Sequence, residues 1–171
     1  MPIGQVHLKP SKRIYRNIML TRTLYFVGAF MIAVGLTACG GGEAGSDVAQ
    51  IEIRPVGDEM RFEQTEFTVK PGQQVRLVFV NTATSPAMQH NVVILTDPNA
   101  VDRVGTAAME AGEANEYVPT DEAILAHTSL AAPGETVEVT FTAPSEPGDY
   151  KYICTFPGHY VMMQGTMRVA A

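Results

Sequence analysis

Residues 148–170 read GDYKYICTFPGHYVMMQGTMRVA. The flanks, GDYKYIC and GTMRVA, are rich in aromatic and β-branched residues and predict two strands. Pro157 and Gly158 mark a turn between them. The connecting loop gathers Cys154, His159, Met162 and Met163, a thiol, an imidazole and two thioethers. Soft and borderline donors of this kind suit copper. Zinc accepts Cys and His but favours a closed set of four such ligands, and magnesium and calcium require oxygen.

Outward from this loop the chain continues as predicted strands: IEIRPV, RFEQTEFTV, QVRLVFVN, HNVVIL and TVEVTFTA. Val75, Leu77 and Phe79, and again Val137, Val139 and Phe141, alternate with polar residues at the period of a half-buried strand. The turns KPGQ, APGE and SEPGD separate them. Short strands punctuated in this way predict an all-β domain over residues 50–171, a β-sandwich with a single core. Residues 97–126 break the pattern. They are rich in Ala and Glu with weak helical spacing, and predict an insertion carrying one or two short helices.

A metal in the loop needs a further donor from elsewhere. Four histidines occur, at positions 7, 90, 127 and 159. His7 lies in an N-terminal stretch of targeting character. His90 stands at the head of the apolar run HNVVIL, where one end of a sandwich can hold it; a polar strand end is the plain alternative.

That N-terminal stretch opens with Lys9, Lys12, Arg13, Arg16 and Arg22 and has no acidic residue before Glu43. The apolar run at 24–36, LYFVGAFMIAVGL, is short for a membrane span of about 20 residues and suits the hydrophobic region of a signal peptide. Residues 36–39, LTAC, resemble a bacterial lipobox. The resemblance implies removal of residues 1–38, acylation of Cys39 and a covalent lipid anchor. Residues 39–49 then form a Gly-rich tether. The expected location is the cell envelope, on the periplasmic or another extracytoplasmic face.

Residues 39–171 retain 18 acidic and 7 basic side chains, a net charge of −11. Such a surface argues against nucleic acid and against non-specific attraction to anionic lipid. Cys39 and Cys154 are the only cysteines. With lipid on the first, Cys154 has no disulfide partner, and an exported thiol tends to oxidise unless it is ligated or buried.

Three motifs together resemble the azurin-type cupredoxins, and among them the lipid-anchored auracyanins. These are residues 88–91 (MQHN), 126–141 (AHTSLAAPGETVEVTF) and 150–169 (YKYICTFPGHYVMMQGTMRV). The similarity covers roughly residues 50–171. It implies a cupredoxin Greek-key β-sandwich holding one type 1 copper, with His90, Cys154 and His159 as a trigonal set and Met163 as a weak axial donor. It further implies that Asn91 ties the two ligand loops together with Thr155 as its partner, and that His159 is the electron port. Pro86, Ala87, Met88, Pro157, Tyr160 and Met162 are the expected rim.

This chain departs from the azurin pattern in three ways. Gln89 stands where azurins have a Gly whose carbonyl can lie near the metal. No cysteines remain for azurin's disulfide. Met162 adjoins Met163, and successive strand residues face opposite sides, so one of the two reaches the metal. His127 matches an azurin histidine that is not a ligand and is expected to be structural or superficial.

The resulting expectation is an electron-transfer protein that shuttles single electrons between redox partners by transient docking, and not an enzyme. A copper oxidase or nitrite reductase needs several more histidines than the one left after His90 and His159 are assigned. A copper delivery or buffering lipoprotein is the alternative, since methionines cluster near the loop. A Cys/His hydrolase is weaker, because no third residue to orient His159 is evident.

Overall fold

The computed structural model describes residues 47–171, so the expected signal peptide, Cys39 and the lipobox lie outside the described residues. Two sheets pack face to face. The first has strand order β1-β3-β6, with β1 (Ala49–Ile53) parallel to β3 (Gln74–Val80), and β3 antiparallel to β6 (Thr136–Thr142). The second has order β2-β8-β7-β4-β5, formed by β2 (Glu66–Val69), β4 (Val93–Leu95), β5 (Ile124–His127), β7 (Gly148–Ile153) and β8 (Gln164–Val169). This mostly β arrangement with one short helix is the expected all-β Greek-key cupredoxin architecture.

The sandwich core follows from the alternation. Val75, Leu77 and Phe79 of β3 point inward and are fully buried, against Tyr152, Met167 and Val169 of the facing sheet. Phe62 packs edge-on against Phe79 and also against Tyr152. Burying side chains of this size stabilises by roughly 1.5–3 kcal/mol each.

β4 explains the unbroken apolar run VVIL. Val92 and Ile94 join the sandwich core, while Val93 and Leu95 face the other way into a second cluster with Ile153, Ala100, Val104 and Ala123. A strand covered on both faces has no polar side to alternate with. Its outer cover is the insertion. There the Asp97 carboxylate accepts the Asn99 N–H and starts a 3₁₀ turn at Pro98–Ala100, which leads into helix α1 (Val101–Ala111). Gly112 ends α1, its N–H donating to Ala108 O.

Three expected strand boundaries are corrected. Residues 61–65 are irregular rather than continuous strand, with a single isolated bridge from Phe62 to Pro55. There Gln64 Oε1 accepts the Arg54 N–H and Phe62 is drawn into the core, so β2 begins at Glu66. β4 begins at Val93 rather than His90, because the ladder is interrupted there: His90 pairs with Ala131 only as an isolated bridge, and Val92 N donates to Thr128 Oγ1. Residues 124–126, expected to close the helical insertion, belong instead to edge strand β5.

Candidate metal centre

Two segments converge at one end of the sandwich. The first is the β7–β8 loop. Gly158, at φ 79°, takes the left-handed conformation that glycine adopts without steric cost, and turns the chain after Pro157 into a 3₁₀ turn at His159–Val161. The loop is then closed by its own backbone. His159 N donates to Phe156 O at 2.9 Å, Met163 N to His159 O at 2.8 Å, and Cys154 N to Met163 O at 3.0 Å. Cys154 and Met163 are thereby fixed side by side, both fully buried.

The second segment carries His90, and its supports come from far away in the chain. His90 exchanges two backbone hydrogen bonds with Ala131, at 3.2 and 2.8 Å. The buried Asn81 amide donates to Met88 O and Ala131 O, both at 2.9 Å. The Asp58 carboxylate accepts from the backbone N–H groups of Thr84 and Ser85 and from the Thr84 hydroxyl. Asn91 joins the two segments: its amide donates to Thr155 Oγ1 at 2.8 Å and its carbonyl accepts from Thr155 N at 2.8 Å.

Three donor atoms face one another as a result. Cys154 Sγ lies 3.7 Å from His90 Nδ1 and 3.7 Å from His159 Nδ1, and the two nitrogens are 3.1 Å apart. A triangle with these edges has a circumradius of about 2.0 Å, close to the 2.0–2.3 Å that nitrogen and sulfur ligands keep from a small divalent metal. Thiol, imidazole and thioether are the donors copper prefers, and the set fits it.

Burial sets the protonation of this cluster. It lowers the His90 pKa to about 4, helped by the neighbouring His159 and opposed by Asp58. His159 is lowered by burial as well. The Cys154 thiol is pushed up to about 12 by burial, against hydrogen bonds from the Asn91 and Phe156 backbone. Both rings therefore keep lone pairs near neutral pH, and a metal must displace the thiol proton on binding.

The other expected residues fall around this cluster. Gln89 and Met88 are half-buried, as are Pro157 and Tyr160, while Pro86 and Ala87 are exposed. Met162 is 68 % exposed where its neighbour Met163 is 0 %. His127 sits on the exposed end of β5, away from the three donors.

Asn81, Asp58 and Phe156 escaped sequence reasoning. The Phe156 ring packs on His159, with centroids 4.8 Å apart. Asn81 had one signal, an amide closing the strand QVRLVFVN, where an apolar run ends in a polar residue that must find partners.

The profile of the copper-binding proteins of the plastocyanin/azurin family matches residues 49–170. Auracyanin-A from Chloroflexus aurantiacus is 43% identical over 149 residues, spanning 81% of this chain and 90% of that protein. Azurin from Alcaligenes faecalis is 37% identical over 120 residues, spanning 67% and 93%. The solved structure of auracyanin A, a blue copper protein from the same Chloroflexus, superposes with a TM-score of 0.67 at 44% identity, covering 72% of this chain and 99% of that one.

Proposed function

The chain belongs to the plastocyanin/azurin family of copper-binding proteins, and we propose that it is a one-electron carrier working outside the cytoplasm, tethered to a membrane by lipid on Cys39. In this reading His90, Cys154 and His159 are the trigonal copper ligands and Met163 is the weak axial donor. The observation that carries the reading is the mutual approach of Sγ and two Nδ1 atoms from segments 64 residues apart.

Copper supplies the one-electron couple, between a Cu(II) form that prefers tetragonal surroundings and a Cu(I) form that prefers fewer, softer ligands. The remaining work belongs to the protein. The closed loop and the Asn91–Thr155 tie hold the donors at fixed separations whatever the charge at their centre, so little has to move when an electron arrives. Phe79 meets the His90 ring edge to face at 6.4 Å, and Phe62 packs between Phe79 and Tyr152. His159 is the proposed electron port. It keeps 5 % exposure while His90, Cys154 and Met163 have none, and the exposed Val161 and Met162 lie next to it. A partner docking there reaches a ring edge through an apolar rim.

The same burial weighs against copper delivery, which needs donors that an acceptor can reach. The reading includes transient docking with a redox donor and acceptor, no nucleic-acid partner and no turnover of a substrate. The copper-loaded protein should show the intense visible absorption and narrow copper hyperfine splitting of a thiolate-bound type 1 centre, and Cys154→Ser should abolish both. A colourless Cu(II) form of the parent overturns the assignment. For the anchor, mass spectrometry of protein extracted from membranes should find an acylated N-terminal Cys39; an unmodified chain that fractionates with soluble protein overturns it.

A further inference from the structure

The insertion touches both ligand-bearing segments, and it does so at positions whose backbone or side-chain choice is otherwise unfavourable. Gly105 stands in the middle of α1, where glycine weakens a helix. A Cβ at this position would lie 2.2 Å from Cγ of Tyr160, with the ring's two Cδ atoms at 2.4 and 2.6 Å. The helix therefore rests its backbone directly on the ring of the residue that follows His159. Gln164 holds that residue from the other side, its amide donating to Tyr160 O at 2.8 Å.

The second contact follows α1. Glu116 and Tyr117 both adopt left-handed backbone, with φ of 53° and 57°. Two consecutive non-glycine residues in this region are uncommon and persist only when surrounding contacts hold them there. The contacts are specific. Glu116 O accepts from the Asn91 amide at 3.2 Å, the same amide that binds Thr155. The Tyr117 ring meets Phe156 edge to face at 5.3 Å, and Phe156 in turn packs on His159.

We propose that Gly105, Glu116 and Tyr117 are positioning residues for the copper centre, through which the 98–123 insertion braces the His159 loop and the Asn91 tie from outside the sandwich. The inference rests on the ligand assignment above only in naming what is positioned. Removing the brace lets the Phe156-to-Met163 segment sample wider geometries without unfolding the sandwich, whose core lies on the other face of β4.

The test compares the parent with Gly105→Ala, Tyr117→Ala and Tyr117→Phe in three readouts: amide exchange across 156–163 in the metal-free protein, the Cu(II) absorption and paramagnetic spectra, and copper release to a chelator. Gly105→Ala and Tyr117→Ala should speed loop exchange, shift the spectra and release copper about tenfold faster, the usual scale for losing a contact behind a metal ligand. Tyr117→Phe keeps the ring on Phe156 and should restore parental behaviour to within about twofold. A purely structural role predicts a lower melting temperature with unchanged spectra and release. That outcome in Tyr117→Ala overturns the proposal, as does a Tyr117→Phe variant as impaired as Tyr117→Ala. Should Gly105→Ala fail to fold, the Tyr117 pair decides alone. A parent lacking thiolate–copper absorption sinks the ligand assignment instead, and exchange in the metal-free protein still decides the brace.

Discussion

The loop at 154–163 and the arm that carries His90 deliver donors to one point by opposite means. The loop closes largely on itself: a Pro-Gly turn, a 3₁₀ turn and four internal backbone hydrogen bonds fix Cys154, His159 and Met163 within ten residues. The arm has few hydrogen bonds of its own, Met88 N to Ser85 O at 2.9 Å among them. Its residues are held by Asp58, by Thr128 and Ala131, and by Thr155, which come from three other parts of the chain. The loop keeps its own hydrogen bonds when an outside contact such as the Tyr117 brace or the Asn91 tie is lost, and loosens without opening, whereas the arm depends on each of its supports.

Substitutions at those supports should therefore cost more than substitutions inside the loop. The largest effect is expected at Asn91, the buried side chain that serves both segments. Asn91→Ala leaves the Thr155 N–H buried without an acceptor and removes three further hydrogen bonds, so the metal-free protein should lose about 3 kcal/mol in denaturant unfolding. Copper affinity should fall by roughly tenfold or more. Asn81→Ala comes next, at about 2 kcal/mol, because Met88 O loses its side-chain donor, Ala131 O keeps only the His90 N–H and Ala83 N loses its acceptor, while the 154–163 loop is untouched. Amide exchange should separate the two variants. Asn81→Ala loosens residues around His90 and Ala131 alone, and Asn91→Ala loosens both segments. Equal loosening of the loop in both variants breaks the comparison.

The same contrast governs what could be read from the sequence. The loop was legible because its chemistry and its turn are adjacent letters: a cysteine, a Pro-Gly pair, a histidine and a methionine between two strand-like runs. His90 was legible only through resemblance and through the scarcity of histidines, since nothing beside it announces Ala131 or Asn81. β5 was missed because a four-residue edge strand, half-buried at best, has no room for a period to declare itself. The left-handed pair at Glu116 and Tyr117 had no signal at all, since neither residue type favours that backbone and tertiary contacts impose it. The continuous apolarity of VVIL was visible, but its cause, a helix covering the outer face, shows only in the fold.

Within the loop, Gly158 offers the matching local test. Its φ of 79° penalises any side chain, although a Cβ there would meet no atom within 4 Å. Gly158→Ala should therefore cost about 1 kcal/mol through backbone strain alone, with no steric clash. Thermal melting of the metal-free protein measures it. A loss as large as that of Asn91→Ala would show the loop to be less self-sufficient than its hydrogen bonds indicate.

The smallest effect should come from Asp58, the outermost support of the arm, and pH gives it a signature. Hydrogen bonds from Ser85 N, Thr84 N and the Thr84 hydroxyl, in that order, hold its carboxyl below the ordinary value of 3.8. A carboxylate depressed in the folded state stabilises it fully above the unfolded pKa, and that stabilisation is lost as pH falls through the folded one. Asp58→Asn should therefore melt at a lower temperature than the parent at pH 7. The gap should narrow only below about pH 4, as the parent's own carboxylate takes up a proton. Salt should leave most of the gap intact, since the partners are neutral donors rather than opposite charges. A gap that closes with added salt at pH 7 would mean that Asp58 acts through long-range charge, and that the His90 arm is held by fewer direct contacts than its geometry implies.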